Sequence, residues 1–488
     1  MNGQIKKIVI VGRDLDAWIT AFFLKSVLDK SGNVYDITLI DVGTELTEHD
    51  AYAVLPSYKM LHKTLGANEE KLRKTARANI YYGQRFTGWN PGLPDFFHAY
   101  DRHGINFNGV DFFQYWMKAT KNGLKLPLED FSLGVAAAKH RRFVAGTDET
   151  GFFHAAHGYH LSANEYVKAL ARAAINIDVK RIAGALRTVN CDDEKIVSLE
   201  LQDGLVIKAD FYIDASGPEA LLINALSDDN FESWEHWFRC DRAVTASCGP
   251  LSPGPAFSQI TAFSSGWCGL YPLSNRTAVQ ALYSSSDTEF TKVVDEVETC
   301  LGADISNGIE RKMKCGILKR PWIGNCLAVG STAAVVEPLD ALQQHSLVIS
   351  MVILRQLFPN SEEYGNERNV YNNKMHSFIE NLRNFQLVHY ALNSRKEPFW
   401  QACRDIDIPH ALTKKIALFR DCGYVSILED ETFQEENWTS IFNGHGLTPA
   451  SYSPLVDNMG DDEMIRGFQK ILSIIKTRIE SSSVIGSH

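Results

Sequence analysis

The chain has 488 residues, 45% apolar and 22% charged, with a formal net charge of −10 at pH 7. This length suits one large domain or two to three smaller ones with a sizeable core, and the acidic balance argues against nucleic acid or an anionic membrane surface as partner. No long uncharged apolar segment reads as a membrane span, and nine cysteines without a CxxC pair read as reduced thiols in a cytoplasm.

Residues 1–12 read as a first strand rather than a secretion signal. Apolar spacing predicts a helix over 17–28, and 37–41 reads as a second strand ending in an acid. Strand, glycine turn, helix, strand and acid make a dinucleotide-binding βαβ unit, with Asp41 placed for a ribose hydroxyl. The G-x-G-x-x-G fingerprint is altered to Gly12-Arg13-Asp14-Leu15-Asp16-Ala17. Ala17 for the third glycine is a mild change. Asp14 puts a carboxylate where the second glycine lets backbone touch a pyrophosphate, and two like charges about 4 Å apart repel by up to ~4 kcal/mol at an effective dielectric near 20. Turning the side chain outward, or pairing it with Arg13, relieves much of that repulsion.

A helix is expected over 56–65, a strand running into a turn over 79–89, and an amphipathic helix over 110–121. The basic run 139–142 reads most simply as a solvated face. Ser162 is a candidate N-cap for a helix to about 174, with Glu165 completing a capping box. Short strands follow over 182–189, 196–201 and 205–208, then a strand end at Asp214-Ala215-Ser216-Gly217. The run 326–330 reads as a buried strand, followed by small residues, Glu337-Pro338-Leu339 and a helix over 341–358. Such a strand, turn and helix start lets a ligand's polar chain lie on backbone N–H groups. From 361 the pattern is mainly helical and rich in aromatics.

The stretch 326–340 resembles the late flavin-binding motif of the flavin-dependent tryptophan halogenases, roughly G-x-A-A-G-F-V-E-P-L-E-S-T-G. The strand end at 214–217 and the segments 85–89, 96–98, 241–244, 266–273 and 383–400 resemble the same family, so the likeness covers nearly the whole chain. It implies an α/β fold: an FAD-binding Rossmann-like domain of the aromatic-hydroxylase type over 1–360, and a helical C-terminal substrate cap over 361–488. It also implies FAD as cofactor, held by Gly12, Asp14, Ala17, Asp41, Asp214, Gly217, Gly330, Ser331, Pro338 and Leu339. An aromatic, indole-like substrate, free or tethered to a peptide or carrier, and a separate flavin reductase are implied as partners, and a homodimer stays possible.

The chain departs from the family where halide chemistry is done. Counting back from Trp89, the family's catalytic lysine falls on Tyr81. The Ser-Thr-Gly of the halide site is Ala341-Leu342-Gln343, and the second Trp of W-x-W-x-I-P is Gly269. Asp340, with His98 as partner, is expected to handle protons at the substrate; an acid at an apolar helix start can have its pKa raised. The reading is an FAD-dependent monooxygenase or oxidase for an aromatic substrate. A catalytically silent binding protein and a halogenase with a displaced lysine are the alternatives.

Overall fold

The computed structural model describes residues 5–29, 35–144, 154–251, 253–305, 308–359, 361 and 363–485. Its contacts divide the chain into two units, each built from three segments. Residues 1–78, 161–236 and 314–381 form the first, and 79–160, 237–313 and 382–488 the second.

The first unit is organised on a six-stranded sheet in the order Trp322–Ile323, Cys326–Ala328, Phe211–Ala215, Lys7–Gly12 (β1), Asp36–Asp41 (β2) and Lys180–Ala183. All neighbours pair in parallel except the 322–323 edge. Ile8, Val9, Ile10 and Val11 are all buried. A continuous apolar run of β-branched residues is what a central parallel strand covered on both faces requires. The first helix, Asp14–Leu28 (α1), starts three residues before its apolar periodicity. Extended Arg13 precedes it, and the Ala17 N–H donates to the Arg13 carbonyl at 3.3 Å. Its first turn carries Asp14 and Asp16, which the helix dipole favours but an apolar pattern cannot register.

Two sequence expectations are corrected in this unit. The strand expected over 182–189 is two strands, Lys180–Ala183 in the large sheet and Leu186–Asp192 in a hairpin with Lys195–Leu201. Gly184 interrupts them. Ser162 does precede the helix Ala163–Ile175, but its hydroxyl donates to the Glu165 carboxylate and caps no backbone N–H. The Ser162 N–H that a capping box would give to Glu165 donates instead to the Ala76 carbonyl at 2.9 Å, so the capping box does not form.

The second unit carries a seven-stranded sheet in the order Ile309–Lys312, Arg242–Cys248, Thr277–Tyr283, Gly266–Pro272, Ser258–Phe263, Gly83–Thr87 and Phe96–Ala99. It is antiparallel except between Ser258–Phe263 and Gly83–Thr87. The C-terminal region is mainly helical, with helices Gly365–Ala391, Pro398–Arg404, His410–Cys422, Glu435–Gly444 and Asp461–Glu480. No helix among the described residues is long and apolar enough to cross a membrane.

Candidate functional site

In the first unit the ends of β1, β2 and Phe211–Ala215 converge. Gly12 pairs with Ala215 on one side and Asp41 on the other. A Cβ on Gly12 would lie 2.1 Å from the Ala215 carbonyl oxygen, so only glycine fits there. Ala17 is fully buried one turn into α1. A cavity of about 180 Å³ opens beside them, lined by Asp14, Asp16, Glu45, Tyr52, Gly217 and Ser331 among others.

Each acid around this cleft has a partner within the protein. Asp14 sits at φ 52°, and its carboxylate accepts the Thr44 hydroxyl and the Glu45 N–H. Arg13 pairs with Glu45 and lies 3.8 Å from Glu219. Asp16 accepts the Ser331 N–H at 2.7 Å and the Ser331 hydroxyl at 2.5 Å. Asp41 is held by Arg181 at 2.8 and 2.9 Å and accepts the Gly43 N–H. Asp214 is wholly buried and accepts from Ser216 and from the N–H groups of Leu222 and Ile223, which fixes the turn carrying Gly217. Burial raises the carboxyls of Asp14, Asp16 and Asp214 above the ordinary range, and hydrogen bonds oppose the shift in each.

Gly330, at φ 58°, directly precedes Ser331 in the cleft lining. Pro338 and Leu339 follow, with Leu339 and Asp340 fully buried. Asp340 and Ala341 both adopt left-handed backbone, φ 56° and 59°. Two adjacent non-glycine residues in that region store strain, which a surrounding structure must hold in place. Gln343 supplies part of the hold: its side chain accepts the Val336 N–H at 2.9 Å and donates to the Ala334 carbonyl at 3.2 Å.

The second unit contains Tyr81 and His98. Tyr81 is fully buried at the end of the strand Asn79–Tyr81. Its ring stacks on His160 at 4.2 Å, and the Tyr100 hydroxyl donates to its oxygen at 3.1 Å. His160 Nδ1 lies 3.1 Å from the Pro272 carbonyl, which can only accept, so Nδ1 carries the proton and Nε2 accepts from the Ser258 hydroxyl. Burial pushes the His160 pKa down to about 3, so the ring under Tyr81 is neutral. His98 is fully buried, with Phe433 and Phe385 against its ring and the Asn437 amide 3.3 Å from Nε2. A cavity of about 420 Å³, lined by Tyr100, Asp101, Arg102, His154, Gln434 and Asn437 among others, adjoins this group.

Trp267 is buried and its indole N–H donates to the Tyr390 hydroxyl. Gly269 is covered by Tyr271: a Cβ there would meet the Tyr271 oxygen at 2.5 Å. The space beside residue 269 is thus taken by the phenol two residues on. Asp101 was not singled out by sequence reasoning. It accepts from the Ser132 hydroxyl and the Gly134 N–H, and burial raises its pKa to about 6. Glu45, Glu219 and Arg181 were also missed, because nothing in sequence joins Asp41 to an arginine 140 positions away.

A parallel sheet with a glycine turn at the carboxyl ends of its strands defines a dinucleotide-binding, flavoprotein-type α/β fold. Residues 7–461 match the tryptophan halogenase family model, and the chain belongs to that family, whose members are flavin-dependent enzymes that bind FAD. It is 22% identical to the tryptophan 7-halogenase KtzQ of Kutzneria sp. (strain 744), over 93% of this chain and 92% of that protein. To the tryptophan 7-halogenase RebH of Lentzea aerocolonigenes it is 23% identical, over 94% and 93%. Among solved structures, the flavin-dependent halogenase BrvH from Brevundimonas sp. BAL3 matches with a TM-score of 0.93 at 26% identity, covering 99% of this chain and 98% of that one. Xcc4156, a flavin-dependent halogenase from Xanthomonas campestris, gives 0.94 at 26%, covering 99% and 97%.

Against that background the strand ends and glycine turns suit a dinucleotide, but the pyrophosphate position does not. Asp14, Asp16, Glu45 and Glu219 bring four carboxyl groups to a cleft where Arg13 is the cation. As they stand these residues do not fit a dianion.

Proposed function

We propose that this chain is an FAD-dependent oxidoreductase for an indole-type or other aromatic substrate, acting as a monooxygenase or oxidase and not as a halogenase. The observation that carries the reading is Tyr81, a buried phenol stacked on a neutral imidazole at the position where the family resemblance puts its catalytic lysine. A phenol has no amine to take up and deliver electrophilic halogen. Bound flavin would supply the redox chemistry, reduced by a separate reductase, while the protein orients substrate and excludes water. His98, among Phe385, Phe433 and Tyr100, is assigned to holding an aromatic face; Asp340 is assigned to proton handling.

The carboxylates around Arg13 favour a second reading, a catalytically silent halogenase-like protein that binds an aromatic ligand. The absorbance spectrum of the purified protein with and without added FAD, followed by mass spectrometry of indole and tryptophan incubated with reduced flavin and oxygen, separates the two. A flavin spectrum with a product one or two oxygens heavier supports the enzyme. Failure to take up FAD at any concentration removes it.

A further inference from the structure

We infer that the Asp16 carboxylate is an internal anion occupying the phosphate position of the cofactor cleft, so that the cofactor enters only when Asp16 is neutralised or displaced. The inference builds on the FAD-dependent reading above. Two elements of such a fold offer N–H groups to a dinucleotide's phosphates: the start of α1 and the turn after the strand Cys326–Ala328. Here one side chain bridges them. Asp16 projects from the first turn of α1 and takes both the N–H and the hydroxyl of Ser331. The Gly330 turn closes onto it, since a Cβ at Gly330 would lie 2.4 Å from the Asp16 carboxyl carbon. The Ser331 part of the donor set that would receive a phosphate is therefore satisfied by the chain's own carboxylate, which also fills the space against Gly330.

The surrounding charges strengthen the effect. Asp14 lies on the same turn and Glu45 and Glu219 share Arg13, while Tyr52 and Tyr58, raised well above the ordinary phenol range by burial, stay neutral beside Asp16. Burial, with Asp14 adding to it, raises the Asp16 carboxyl, and the Ser331 bonds oppose the rise. The sign follows: as pH falls through that raised value Asp16 becomes neutral and repulsion of a dianion diminishes, so affinity should climb toward acid pH.

The test is equilibrium binding of FAD, by flavin fluorescence, and of ADP, by calorimetry, to the full chain and to Asp16→Asn and Asp16→Gly, from pH 8.5 down to about the ordinary carboxylate range near 4. Both variants should bind about tenfold tighter or more at pH 8. The unmodified chain should gain affinity as pH falls, and the Asn variant should respond less. Folded variants that bind no tighter overturn the inference. Should Asp16→Gly fail to fold, the isosteric Asn variant and the pH profile of the unmodified chain still decide. FAD binding by Asp16→Gly alone upholds the inference while removing the FAD-dependent reading of the natural protein. Equal FAD binding by all three overturns the inference and leaves that reading intact, and no binding by any of them overturns both.

Discussion

Asp14 holds a backbone conformation, φ 52°, that glycine adopts freely, and its two accepted hydrogen bonds compensate for the strain. Replacing it with glycine removes both terms together. Asp14→Gly should therefore change folding stability by no more than about 1 kcal/mol in urea denaturation, while FAD binding tightens because one carboxylate leaves the cleft. A loss of several kcal/mol would show that the Thr44 and Glu45 contacts dominate. Asp101 gives a pH test. Its pKa rises from an ordinary value of 3.8 to about 6, chiefly through burial. In that window the folded state binds more protons than the unfolded one, so Asp101 makes stability fall as pH rises from about 4 to 6. Asp101→Asn should flatten that slope in denaturation curves at pH 4.5 and 6.5, and an unchanged slope would assign it to other groups.

The turn 334–343 shows what an element can do that its residues separately do not announce. Asp340 and Ala341 are held left-handed while Gln343 ties the segment back through Val336 and Ala334. Gln343→Gly removes both side-chain bonds and should cost about 1–3 kcal/mol, with increased hydrogen exchange confined to 334–341; unchanged exchange there would deny Gln343 this bracing role. The strands on either side were legible in sequence. The runs 8–11, 211–213 and 326–328 are apolar over their length and lead into small residues, which is how buried parallel strands read. The family's motifs were equally legible, since they are local. What escaped was relational. The start of α1 was hidden by a polar first turn, and the 182–189 segment was divided by Gly184. The filling of the space at Gly269 depends on a phenol two residues away on the same face of a strand. The bridge from Asp16 to Ser331 spans 315 positions, so no pattern could expose it.

At the scale of the whole molecule, the proposed reading separates the fold from halide chemistry, and the last prediction follows from that. With reduced flavin, oxygen and either chloride or bromide, indole, tryptophan and tryptophan-containing peptides should gain no halogen. Family-type halogenation needs a halide site beside the flavin and an amine to carry the electrophile to the ring. Ala341 and Leu342 are buried apolar residues where the resemblance places Ser-Thr, and Gln343 is engaged in bracing its own loop. Tyr81→Lys should not restore activity. It would place an ammonium against a neutral His160, whose two ring nitrogens are already bound to Pro272 and Ser258. A lysine there must lose its proton or cost the fold about 3 kcal/mol or more, so the variant should melt earlier, and more so at acid pH where the amine charges. Mass spectrometry of both proteins decides the matter. A chlorinated or brominated product from the unmodified chain would defeat the oxygenase reading, and one from Tyr81→Lys alone would show that Ala341, Leu342 and Gln343 still permit halide to be used.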